Sequence, residues 1–174
     1  MTPSAFISAI GPGAKQSNID TGIPASITIA QAALESGWGK SGLTMQAKNL
    51  FGIKALGNWS GPTVTMPTQE YENGQWVTVN SAFRAYPSWQ ASLDDHAKFF
   101  FVNSRYAPAL AIRANSNEWA KEIQACGYAT DPTYADTLIE IAGQFGLYSW
   151  DVPETGWQLL PWAEGAGLSF NSQS

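Results

Sequence analysis

Residues 23–39, Ile-Pro-Ala-Ser-Ile-Thr-Ile-Ala-Gln-Ala-Ala-Leu-Glu-Ser-Gly-Trp-Gly, constrain this chain more than any other stretch. Ile27, Ala30, Ala33 and Leu34 recur at helical spacing. Pro24 suits a first turn, where its missing N–H is not needed, and Gly37 and Gly39 end the helix. The alanines at 30, 32 and 33 let other elements pack close to it. A single acidic residue, Glu35, stands where the helix stops. Lost hydration and the negative end of the helix dipole both disfavour its ionised form. A carboxyl with a raised pKa is what a general acid near neutral pH requires. The plainer alternative is a solvated glutamate at a helix end.

The rest of the chain reads as helices around one β element. Residues 3 to about 21 form a first helix, broken or irregular at Gly11-Pro12-Gly13, with Phe6 and Ile10 facing inward. Residues 40–62 carry four glycines and read as loop. Asn73-Gly74, between Gln69-Glu70-Tyr71 and Gln75-Trp76-Val77-Thr78-Val79, is a strong two-residue hairpin signal. Ser88 caps a helix to about Val102, a shorter helix spans roughly 106–113, and Ser116 caps another that ends at Gly127. Asp131-Pro132 opens a last helix with Tyr134, Leu138, Ile141 and Phe145 on one apolar face, which assigns Tyr134 to the core. The expected fold class is therefore α+β, mainly α. A catalytic-type domain spans 1–148, and 149–174 form an irregular tryptophan-containing tail whose last residues, Ser169–Ser174, fray.

Charge and rare residues exclude several function classes. A net charge of −5 leaves no basic stripe for nucleic acid. The same charge gives no long-range attraction to an anionic surface, so binding must come from short-range groove contacts. One cysteine, Cys126, and one histidine, His96, make neither a disulfide nor a zinc site, and no cofactor is expected. Cys126 is expected as a small buried apolar residue at a helix end, and His96 as a structural histidine beside an apolar stripe. A Cys–His peptidase or amidase would require these two to pair. The N-terminus lacks a basic segment followed by an apolar run, and no stretch reaches membrane-spanning length. A chain released without its own export signal and a domain excised from a longer precursor both fit.

Six runs in order carry a resemblance: Ala-Gln-Ala-Ala-Leu-Glu-Ser-Gly-Trp-Gly (30–39), Lys-Asn-Leu-Phe-Gly-Ile-Lys (48–54), Gly-Asn-Trp-Ser-Gly-Pro (57–62), Thr-Gln-Glu-Tyr-Glu-Asn-Gly (68–74), Ala-Phe-Arg-Ala-Tyr (82–86) and Gly-Tyr-Ala-Thr-Asp-Pro-Thr-Tyr-Ala (127–135). From about Phe6 to about Phe145 the chain resembles FlgJ-type endo-β-N-acetylglucosaminidases of glycoside hydrolase family 73. The resemblance implies a lysozyme-like helical fold with a β-hairpin lobe beside a groove, and peptidoglycan glycan strands as substrate.

Glycoside hydrolysis usually takes two carboxylates flanking the scissile bond. Glu35 is the expected acid. The hairpin offers Glu70 and Glu72, two residues apart and so on one strand face. The resemblance, through Thr-x-Glu-Tyr-x-x-Gly, favours Glu70 as base or stabiliser. It also makes Tyr128 a groove residue near the acid, whereas the residue alone reads equally well as packing at a helix junction. Phe51, Trp59 and Tyr71 are candidate sugar platforms, Glu72 and Asp131 further substrate contacts, and Trp38 a buttress under Glu35. The leading expectation is a monomeric glucosaminidase acting at the bacterial cell wall, as a phage-type endolysin or a flagellar or autolytic domain. The alternatives are a muramidase on the same scaffold and a non-catalytic glycan-binding domain.

Overall fold

The computed structural model describes residues 1–165; the side chain of Glu72 and the expectation for Ser169–Ser174 lie outside the described residues. Eight α-helices occur among the described residues: α1 (Pro3–Thr21), α2 (Ala25–Ser36), α3 (Gly42–Ala47), α4 (Trp89–Val102), α5 (Ala107–Ala111), α6 (Ser116–Ala125), α7 (Tyr134–Gln144) and α8 (Pro161–Glu164). A single antiparallel pair, β1 (Thr63–Glu72) and β2 (Gln75–Arg84), interrupts them between α3 and α4.

Helix α2 runs through the core. Ala25, Ile27, Ile29, Ala30 and Ala32 are fully buried, so the helix is covered on all sides rather than along one stripe. Each large aliphatic side chain buried this way contributes about 1.5–3 kcal/mol. Leu34, expected on the apolar face, is instead 39% exposed, because the helix emerges from the core in its last turn. Pro24 supplies no side-chain cap. Asp151, far along the chain, accepts from the Ser26 N–H and Ser26 Oγ, both at 2.7 Å, and also from Ser116 Oγ at 2.7 Å. Its negative charge thus sits at the N-terminal turns of both α2 and α6, where helix dipoles favour it.

Helix α1 is continuous through Pro12, contrary to the expected break. The two flanking glycines serve close packing instead. A Cβ on Gly11 would lie 2.6 Å from the Trp150 ring, and one on Gly13 would lie 2.2 Å from Gln90 Oε1. Tertiary contact here outweighs the breaker signal. Helix α3 was unforeseen, since its surroundings are glycine-rich; Ser41 caps it by accepting from the Thr44 N–H at 3.1 Å. Helix α6 is capped by Asn115, which accepts from the Glu118 N–H at 3.1 Å, rather than by Ser116, whose hydroxyl is committed to Asp151.

The hairpin turns at Asn73 (φ 50°) and Gly74 (φ 85°), with Glu72 opposite Gln75. Two successive positive φ values make the tight turn whose twist matches paired strands. The far end of the sheet is tied to the helical body. Lys54 bridges to Phe83, and the Ala55 N–H donates to the Ala82 carbonyl at 2.8 Å. The described C-terminal residues pack back on α1: the N–H groups of Gln158 and Leu160 donate to the carbonyls of Ile19 and Asp20, both at 2.8 Å. Short helical turns at Leu147–Trp150 and Glu154–Gly156 stand where no periodicity was expected.

Candidate active site

A cleft of about 610 Å³ opens between the helical body and the base of the hairpin. Glu35 lines it from the end of α2, Phe51 to Lys54 from the loop after α3, Arg84 from the end of β2, and Phe99 from α4. Asn103, Arg105 and Tyr106 come from the α4–α5 connection, and Tyr128 from the segment after α6.

The geometry around Glu35 is set by the helix stop. Gly37, Trp38 and Gly39 take φ values of 56°, 59° and 77°, three successive left-handed residues. Ser36 donates its hydroxyl to the Ala32 carbonyl and accepts from the Gly39 N–H at 2.8 Å, which fastens this turn. Trp38 packs between Phe6 (ring centroids 5.9 Å) and Phe145 (4.7 Å), so it does buttress the helix end.

Glu35 is exposed at the cleft, and the protein atoms packed around its carboxyl still take part of its hydration. That desolvation raises its pKa above the ordinary carboxylate value. A hydrogen bond from Tyr134 Oη to Glu35 Oε1, 3.1 Å, acts in the opposite direction. Tyr134 Oη in turn accepts from the buried Gln31 Nε2 at 3.2 Å. Tyr134 is a core residue, as its apolar spacing implies, and its hydroxyl in addition reaches the acid.

Glu70 is placed differently. Its Oε1 forms an ion pair with Lys54 Nζ and lies 3.4 Å from Ser81 Oγ. The Lys54 hydrogen bond, followed by its charge, holds the Glu70 pKa below the ordinary value, so this carboxylate stays ionised. Glu70 does not itself line the cleft, but its partner Lys54 does. One acid is raised and the other lowered, which is the separation that acid–base catalysis by two carboxyls needs.

Tyr128 lines the cleft with Glu35, and its ring also stacks on Phe100 (5.6 Å) and Tyr134 (5.7 Å). Burial, then the neighbouring Tyr134 and Glu35, push its phenol well above the usual value, leaving it a hydrogen-bond donor. Phe51 is in the cleft wall but only 5% exposed, stacked on His96 at 3.6 Å. Asn49 shapes that loop: its Oδ1 accepts from the Phe51 and Ile53 N–H groups, and its Nδ2 donates to the carbonyls of Ile53 and Arg84.

Of the remaining candidates, Trp59, Tyr71 and Asp131 lie outside the cleft wall. Trp59 donates to the Pro62 carbonyl at 3.0 Å and stacks under Arg84. Tyr71 is 63% exposed near the hairpin tip, edge-on to Trp76 at 5.3 Å. Asp131 accepts from the Thr133 N–H and hydroxyl, both at 2.8 Å, in the turn leading into α7. That turn consumes the carboxylate locally, which is why it does not reach the groove. Glu72 closes β1 next to the turn. His96 is fully buried with its pKa pushed down to about 3 by desolvation, and Cys126 is only partly buried, with its thiol pushed up. An imidazole so reluctant to take a proton is too weak a base to activate a thiol. Among the described residues, no group of three or more His, Cys, Asp or Glu is placed to hold a metal ion, and no helix is long and apolar enough to cross a membrane.

Lys54, Arg105 and Tyr134 are site residues that sequence reasoning did not single out. Lys54 and Tyr134 do lie inside the quoted runs 48–54 and 127–135.

Residues 11–147 match the family model described as Mannosyl-glycoprotein endo-beta-N-acetylglucosaminidase. Peptidoglycan hydrolase FlgJ of Pseudomonas aeruginosa is 42% identical over 147 residues, covering 82% of this chain and 37% of that protein. A protein named Probable N-acetylmuramidase, from Lactococcus lactis subsp. lactis, is 42% identical over 154 residues, covering 84% of this chain and 34% of its own length. The chain therefore spans well under half the length of these relatives. Among solved structures, the catalytic domain of the autolysin Auto from Listeria monocytogenes superposes with a TM-score of 0.77 at 36% identity, covering 86% of this chain and 87% of that one.

Proposed function

The chain belongs to the glucosaminidase family of glycoside hydrolase family 73, and from that premise we propose that it hydrolyses the glycan strand of peptidoglycan at the β-1,4 bond following N-acetylglucosamine. The observation that carries this reading is the cleft that holds Glu35, hydrogen-bonded by Tyr134, together with Lys54, the ion-pair partner of Glu70 on the hairpin.

In the proposed reaction, Glu35 gives its proton to the bridging oxygen as the anomeric C–O bond breaks. The departing sugar leaves with a hydroxyl, and positive charge develops at the anomeric carbon. Glu70, brought over the cleft by the hairpin, stabilises that charge or takes a proton from the attacking water. Tyr128 offers a protonated hydroxyl beside Glu35 to orient the N-acetyl group or the water. Phe51 provides an apolar floor, and Trp59 and Tyr71 are the aromatic faces an extended strand would meet beyond the cleft. We assign 1–148 to the catalytic domain and 149–174 to a tail, a monomer to the working state, and the cell wall to its place of action.

The muramidase reading is favoured by one observation, the 42% identity to the Lactococcus protein. Borohydride reduction of a peptidoglycan digest separates the two. N-acetylglucosaminitol as the new alditol supports glucosaminidase action, N-acetylmuramitol supports the alternative, and no new reducing end rejects both.

A further inference from the structure

The chain carries a net charge of −5, yet three cations, Lys54, Arg84 and Arg105, line the cleft with one carboxylate, Glu35. Two of the three are already paired: Lys54 with Glu70, and Arg84 with Asp95 at 2.8 Å. Arg105 has no ion pair among the described residues. Its guanidinium carbon stacks 4.8 Å over the buried Tyr106 ring, and a Cβ on Gly127, next to Tyr128, would lie 3.9 Å from its Nη1. The cation is therefore braced on an aromatic face beside Tyr128, and the residue is exposed and lines the cleft. A guanidinium so placed matches a carboxylate through two parallel charge-assisted hydrogen bonds.

We propose that Arg105 is a specificity-determining residue that binds a carboxylate carried by the muramic acid unit of the strand, on the Tyr128 side of Glu35. This rests on the proposed peptidoglycan activity. Two substituents supply that carboxylate: the lactyl group of a strand stripped of peptide, and an acidic residue of an attached stem peptide, in which the lactyl group is itself an amide. A neutral N-acetylglucosamine polymer has neither. The overall negative charge of the protein repels such substrates at long range, so recognition is confined to this short-range contact.

The test compares wild type, Arg105→Gln and Arg105→Lys on peptide-bearing and peptide-free glycan strands, each native and with carboxylates converted to methylamides. For wild type, amidation lowers kcat/KM about tenfold, mainly through KM. Arg105→Gln shows the same loss on native strands and little further loss on amidated ones, while Arg105→Lys retains part of the preference. A loss confined to peptide-free strands assigns the lactyl carboxylate, and one confined to peptide-bearing strands assigns the stem peptide. Equal slowing of native and amidated strands by Arg105→Gln, or no slowing at all, overturns the assignment of Arg105 while leaving the hydrolase reading intact. Failure of wild type to cleave any strand overturns the hydrolase reading and the Arg105 assignment with it.

Discussion

The Tyr134 hydroxyl donates to Glu35 at 3.1 Å while accepting from Gln31 at 3.2 Å, so the cleft acid is wired to a buried amide on its own helix. Gln31 and Glu35 are four residues apart on α2, and Tyr134 from α7 bridges them. The bridge restrains the carboxyl and partly offsets the desolvation that raises its pKa.

Tyr134→Phe removes that opposing hydrogen bond, so the Glu35 pKa rises further. Because a general acid loses activity as pH rises through its pKa, the alkaline limb of the pH–rate profile moves to higher pH. The Gln31 amide loses its partner, costing about 1–3 kcal/mol of stability. A kcat/KM profile together with urea denaturation checks both; an unmoved alkaline limb contradicts the bridge.

Lys54→Met acts on the other carboxyl. With its main partner gone, the Glu70 pKa returns upward. A base must be ionised, so the acidic limb of the profile moves to higher pH while the alkaline limb stays. The measurement is the same profile on soluble glycan strands.

Gly39→Ala probes the helix stop. Gly39 has φ 77°, and a Cβ there would sit 3.0 Å from the buried Phe6 ring. Strain and crowding together cost about 1–3 kcal/mol. Chemical denaturation gives the stability loss, and kcat should fall with it because Glu35 hangs from this turn.

His96 sets an acid limit to stability. Its folded pKa is about 3 against an ordinary 6.5, so the unfolded chain binds the extra proton between those values. Stability therefore falls as pH drops below about 6.5, by at most about 1.4 kcal/mol per pH unit. Glu35 works in the reverse sense: its raised pKa costs stability as pH climbs above the ordinary carboxylate value of 4.5. His96→Phe should flatten the first slope, and Glu35→Gln should raise the melting temperature at neutral pH.

Local signals made much of this structure legible. Asn73-Gly74 defined the hairpin because two positive φ values admit few residue types, and Gly37 and Gly39 marked the stop that presents Glu35. Non-local contacts were not legible. Pro12 stays helical because Trp150 and Gln90 pack against its neighbours. Tyr134 was assigned by its apolar spacing, which speaks for the ring and not for the hydroxyl at its tip. Lys54 comes from a loop and Arg105 from the 3-10 turn Ser104–Tyr106, both too short for periodicity to report which side faces a cleft. Asp131 and Tyr128 belong to one quoted run, yet only Tyr128 lines the groove, because the turn before α7 takes the aspartate for itself.

The proton donated by Glu35 is the centre of the account, and its necessity depends on the leaving group. Purified Glu35→Gln is assayed on native glycan strands and on a β-glycoside of the same sugar bearing a dinitrophenyl leaving group, which departs without protonation. The account predicts a loss of about 10²–10⁴-fold on native strands and a far smaller loss on the activated glycoside. Equal losses on both substrates, or full activity on native strands, would contradict it.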